Sequence, residues 1–353
     1  MEYINIKKLL ILFYIIIPFI FYSIPLMFFL VGNEVSIHFY RTYYPDVKET
    51  LEIIVGHIIL GISVYVLTKK NIIYKQKKFN ENIFYNILTI LIFVLFIFGK
   101  NVSGIISMLS MGIFVILVSN VKIYKITYII LLALSFVELI VYKERYLTVF
   151  VVLLMGLSFL SKRTLLQLIL FSFIGIFVLV FILQPLRYGN IPFSNLSDIK
   201  LVLFDVYKHL NSIYYTAYLA NSIDFNFTSL LVEFIPFGKS LSGELGIVER
   251  LAQVGLPQYL VAEGARLGSN SAMYFSLKGI VLLILMLGII YGSQKVIKST
   301  LLTNSIIMYL IIQGPYFIRR SFASFTIDII IIICLVLIVL IIKQSMIGKR
   351  NES

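Results

Sequence analysis

The chain reads as an all-α polytopic membrane protein, with about ten transmembrane helices and one long external loop containing short amphipathic helices. Three observations predict this. Of its 353 residues, 60% are hydrophobic and 13% charged, and the mean hydropathy is +0.98, which is not the composition of a soluble globular domain. Apolar runs of roughly 15 to 21 residues recur from end to end, close to the length a helix needs to cross a bilayer. Only one long polar interval interrupts them, Pro185 to Gly268, and it holds Arg187, Asp205, His209, Glu233, Glu244, Arg250, Glu263 and Arg266.

The expected spans are 9–31, 50–67, 84–98, 103–119, 126–142, 146–160, 164–184, 271–292, 302–317 and 322–342. All should be helices, because unpaired backbone groups are not tolerated in lipid. The chain then divides into helices 1–7 over residues 1–184, the external loop over 185–270, and helices 8–10 with a cytoplasmic tail over 271–353. The first run is too long for a signal-peptide core and has no small-residue cleavage site after it, so it is expected to be retained. The single cysteine, Cys334, lies deep in the last run and excludes an internal disulfide or a cysteine metal cluster.

Orientation follows from lysine. With the amino terminus inside, the cytoplasmic segments collect fourteen lysines and two arginines, with Glu2, Glu81 and Glu352 as their acids. Both termini are then cytoplasmic and the long loop lies outside. The +13 net charge is accounted for by short basic clusters between spans, not by a nucleic-acid surface.

Seven of the nine arginines fall on the outer side: Arg41, Arg145, Arg187, Arg250, Arg266, Arg319 and Arg320. The positive-inside rule treats Lys and Arg alike and does not explain this split. A planar guanidinium grips phosphate or carboxylate through two parallel hydrogen bonds, so an arginine-rich outer face points to an anionic ligand, with pairing to the outer acids as the alternative. Inside the loop, Ser197 or Asp198 caps a helix running to about Asn221. Ile199, Val202, Val206, Leu210, Ile213, Ala217 and Ala220 form its apolar stripe; Asp205, His209, Ser212 and Thr216 form a polar one that faces a cleft or water.

Arg145 sits in the tight outer turn Lys143-Glu144-Arg145, with Glu138 about two turns below as an internal partner. Arg319 and Arg320 follow Gly314-Pro315-Tyr316, where proline should break the helix. Asp328 is either functional or a counter-ion to an arginine there. His57 is a proton carrier or, more simply, a hydrogen-bonded packing residue. His38 has no ligand partners nearby in sequence. Zinc, phosphate-loop, nucleophile-elbow and metalloprotease motifs are all missing, which counts against a nucleotide-driven pump and against a nucleotide-sugar transferase on the inner face.

The segment Glu263-Gly264-Ala265-Arg266-Leu267-Gly268-Ser269-Asn270-Ser271, running into Ala272-Met273-Tyr274-Phe275-Ser276-Leu277-Lys278-Gly279 and an apolar helix, resembles the Wzy-type O-antigen and capsule repeat-unit polymerases. So do Arg145 opening an apolar run after a charged turn and Phe234-Ile235-Pro236 within a long outer loop. The resemblance covers the topology of the whole chain and, as sequence, about residues 140 to 290. The related O-antigen ligases usually carry a histidine before the span after the loop, where this chain reads Gly268-Ser269-Asn270-Ser271.

The resemblance implies a GT-C-like fold in the bacterial inner membrane. Its substrates would be undecaprenyl-diphosphate-linked glycans, with membrane lipid and a chain-length regulator as further partners and no cofactor. Arg145, Arg187, Arg266 and Arg319 or Arg320 would hold the diphosphate, while Asp205, His209 or Glu263 would serve as base for the acceptor hydroxyl. With guanidinium groups supplying the positive charge, no metal is required. A ligase, a lipid-linked oligosaccharide flippase and a membrane acyltransferase are the competing readings.

Overall fold

The computed structural model describes residues 3–5, 7–20, 35–36, 42–43, 51–52, 54–59, 61–62, 73–75, 83–142, 146–187, 219, 232, 243, 245, 247–255, 277–319 and 322–351. Within them the architecture is all-α, with two small antiparallel ladders in the connections. Helix α1 starts at Lys7–Ile11 and widens into a π-turn at Leu12–Ile16. Helical turns at 51–52, 54–59 and 61–62 make up α2. Then follow α3 (Ile83–Val102), α4 (Gly104–Asn120), α5 (Lys125–Val141) and α6 (Tyr146–Ser161). Helix α7 (Leu165–Val178) continues through a π-turn, Leu179–Leu183, into the short turn Gln184–Arg187. Helix α8 (Ile247–Gly255) belongs to the polar interval. The chain ends with α9 (Leu277–Ile297), α10 (Thr300–Gln313) with its 3-10 extension Gly314–Arg319, and α11 (Phe322–Asn351). Strand β1 (Tyr3–Asn5) pairs with β4 (Ile73–Lys75), and β2 (Val35–Ser36) with β3 (Thr42–Tyr43).

Every apolar run expected to be helical contains helix. The boundaries differ most at the end of the chain. The expected tail beyond 342 continues α11 to Asn351, because its Lys, Gln, Ser and Met residues are compatible with helix and no proline stops it. Helix α8 is a short amphipathic helix of the kind expected in the long polar interval, at a position the sequence had not specified. The expected helix from Ser197 to about Asn221 lies outside the described residues except for Leu219, which is helical and buried.

Helices α4 and α10 form the centre. Helix α4 packs against α3, α10 and α11; its first turns expose Ile105, Ile106 and Leu109, and from Ser110 to Asn120 nearly every residue is buried. Phe93, Phe114 and Phe150 carry the core from α3 through α4 to α6, with successive ring centroids 5.1 and 5.4 Å apart. Gly112 lets α4 approach α11: a Cβ there would lie 2.9 Å from Leu335 Cδ1 and 3.0 Å from Ile331 Cγ2. Gly314 does the same between α10 and α1, since a Cβ would meet the Phe13 ring at 2.5 Å. As Pro315 requires, α10 stops at Gln313 and tightens into the 3-10 turn.

The periphery is apolar as well. Ile83, Leu91, Ile129, Val152, Leu170, Phe173 and Ile338 are each at least half exposed. By length and composition, one described helix, Phe325–Ser345, is long enough to cross a membrane; shorter apolar helices include Ile83–Gly99, Gly104–Asn120 and Tyr146–Ser161.

Candidate functional site

Buried polar groups collect at the two ends of the bundle. At the Asn120 end they bond to one another. Asn120 Nδ2 donates to Ser119 Oγ at 2.6 Å and to Ser305 Oγ at 3.3 Å, and its Oδ1 accepts from Asn304 Nδ2 at 3.4 Å. Asn86, reaching from α3, caps α5: its Oδ1 accepts from the Tyr124 amide at 2.9 Å and from Thr127 Oγ1 at 3.0 Å. Two donors at a helix start are thereby satisfied by a neighbouring helix.

The opposite, Tyr146 end is chemically different. Glu138, in the last turn of α5, is fully buried. Asp328, 4% exposed, accepts from the Tyr309 hydroxyl at 3.0 Å. Gln313 is fully buried at the end of α10 and donates through Nε2 to the Tyr146 hydroxyl. Its Oε1 has no hydrogen-bond partner among the described residues. Tyr146 also meets Tyr316 edge-on, with ring centroids 5.2 Å apart. A buried acceptor without a donor carries a desolvation cost of about 1–3 kcal/mol, so its position calls for an explanation.

The residue after Arg145 thus touches both Gln313 and Tyr316, and Tyr316 lies in the 3-10 turn that leads to Arg319. The turn Gln184–Arg187 packs against α5, the helix of Glu138. Three of the segments expected to carry arginines to an anion therefore arise from one end of the bundle. Arg145, Arg266, Arg320, Asp205, His209 and Glu263 lie outside the described residues, and Arg187 and Arg319 are described in backbone only. Asp328 has a tyrosine hydroxyl as partner, and His57 packs against Phe19 with ring centroids 5.6 Å apart. No metal-ligating cluster occurs among the described residues.

Gln313, Tyr146 and Tyr309 did not emerge from the sequence as site residues. A polar amide placed directly before Gly314-Pro315 in an apolar run was the available signal for Gln313. The tyrosines resembled the many others at the ends of apolar runs.

Comparison with protein-family models, curated proteins and solved structures returns no match to this chain.

Proposed function

We propose that the chain is a ten-span membrane protein. It joins undecaprenyl-diphosphate-linked repeat units into O-antigen or capsular polysaccharide on the outer face of the bacterial inner membrane. The membrane reading draws support from the exposed apolar periphery and the sorting of polar groups to two ends. Lysines favour the Asn120 end: Lys8 and Lys162 lie there, as do Lys122 and Lys125 at the start of α5. By the positive-inside rule that end is cytoplasmic. The Tyr146 end is then external.

One observation carries the catalytic reading: the segments leading to Arg145 and Arg319 meet above a buried polar layer at that external end. In the reaction, an acceptor hydroxyl forms a bond to the anomeric carbon of the growing chain as the bond from that carbon to the lipid diphosphate breaks. The departing diphosphate takes the electron pair, and guanidinium groups stabilise the charge that develops on it. The hydroxyl proton passes to Asp205, His209 or Glu263. Gln313 Oε1, without a donor among the described residues, leaves spare acceptor capacity in the polar layer beneath this end.

Mass analysis of lipid-linked and surface glycans in a strain lacking the gene tests this. Single repeat units should accumulate outside and long polymer should disappear. Long chains stranded on undecaprenyl diphosphate would mean a ligase, and single units trapped on the cytoplasmic face a flippase. Normal polymer lacking only an acyl group would mean an acyltransferase.

A further inference from the structure

At the Asn120 end, two basic segments far apart in sequence come together. The Lys8 ammonium donates to the Arg163 carbonyl at 3.1 Å, across 155 residues. Lys7 and Lys162 adjoin them in sequence. The Arg163 guanidinium lies 3.9 Å above the centroid of the Phe159 ring, and its buried Nε–H has no acceptor among the described residues. Two basic side chains thus share this end of the bundle, and a buried cationic donor without an acceptor among the described residues points to an anion as its partner.

An apolar groove lies between the two helices that follow these residues, α1 after Lys8 and α7 after Arg163. Leu12, Ile16, Ile17 and Ile20 of α1 form one wall, and Ile169 and Phe173 of α7 the other. Ser172 also lines it, but its hydroxyl is bonded to the Leu168 carbonyl at 2.9 Å. The groove begins one helical turn beyond Lys8 and follows α1 for about two further turns. At about 1.5 Å per residue, it covers roughly 6 to 18 Å from the basic pair. One leaflet of hydrocarbon is about 15 Å deep.

We propose that the chain holds an anionic phospholipid of its own membrane, with the headgroup phosphate on Lys8 and Arg163 and one acyl chain in the groove between α1 and α7. A free phosphate would use the basic pair alone and leave the groove without a role. The proposal rests on the membrane reading above, not on glycosyl transfer.

The test uses the full chain purified in mild detergent and exchanged into nanodiscs of phosphatidylcholine with a minor fraction of phosphatidylglycerol. Native mass spectrometry then counts the lipids retained on ejection from the disc. The wild type should retain one phosphatidylglycerol in preference to phosphatidylcholine. The double variant K8Q/R163Q should weaken that retention about thirtyfold, given two basic contacts near a charged headgroup. Ile16→Trp, which fills the groove, should lower lipid retention while leaving any binding of inorganic phosphate unchanged. The conservative pair K8R/R163K, run in parallel, should retain the lipid and so separates loss of charge from loss of fold. Equal retention by wild type and K8Q/R163Q would overturn the proposal. So would displacement of the lipid by millimolar inorganic phosphate. A chain released from membranes by alkaline carbonate would sink the membrane reading itself, which is a separate result.

Discussion

The two ends of the bundle use similar side chains to different effect. At the Asn120 end, Asn86, Ser119, Asn120, Asn304 and Ser305 satisfy one another or a helix terminus. At the Tyr146 end, buried Glu138, Asp328 and Gln313 lie near the segments leading to candidate arginines, and the Gln313 acceptor has no donor among the described residues. A closed polar network holds helices in register, whereas an unsatisfied one leaves capacity for a ligand. By this contrast, the Asn120 network serves to hold helices together, apart from the Lys8 and Arg163 side chains at that end, and the Tyr146 end is the one proposed to act on substrate.

The largest effect that could break the contrast lies with the arginines. Alanine at Arg145 or Arg266, at equal expression, should reduce long polymer by about 10²-fold or more, the scale of losing one donor to a developing oxyanion. Unchanged polymer length and amount would remove these residues from the site. Next comes Gly314→Ala, whose new Cβ would collide with the Phe13 ring. Overpacking of this kind should cost about 1–3 kcal/mol, read as a lower thermal unfolding midpoint in detergent and partly restored by adding Phe13→Leu.

A paired substitution sharpens the comparison directly. Asn120→Leu removes the hub of the closed network and should destabilise the fold by about 1–3 kcal/mol, with polymer made per folded molecule unchanged. Gln313→Leu removes a buried acceptor without a donor among the described residues, but also the hydrogen bond to the Tyr146 hydroxyl, so stability should fall by only about 1 kcal/mol while polymer yield falls about tenfold. If instead the first costs activity and the second only stability, the roles of the two ends are reversed. The smallest effect is at Lys298, which ends α9 with φ 47°. Glycine there should raise stability by about 0.5–1 kcal/mol, because it adopts that backbone without a Cβ penalty.

Much of this was legible in the sequence. Apolar runs bounded by lysines located the helices, because a helix that is apolar all round has few alternatives to burial in protein or lipid. Pro315 located the end of α10, since its ring cannot continue the hydrogen-bond ladder. The polar interval, the asymmetry between Arg and Lys, and Arg145 and Arg319 as candidates were also readable without coordinates.

Only the tertiary structure decided which helix ends meet. The contact of Tyr146 with Gln313 spans 167 residues, and that of Lys8 with Arg163 spans 155. Nothing in local periodicity specifies such pairs. They depend on how α4 and α10 pack at the centre, which in turn depends on close approaches at Gly112 and Gly314. The same physics explains why Asn120 and Gln313 look alike as single polar residues in apolar runs. Which of them finds its partners is settled by the neighbouring helix, and a sequence read one segment at a time does not contain that neighbour.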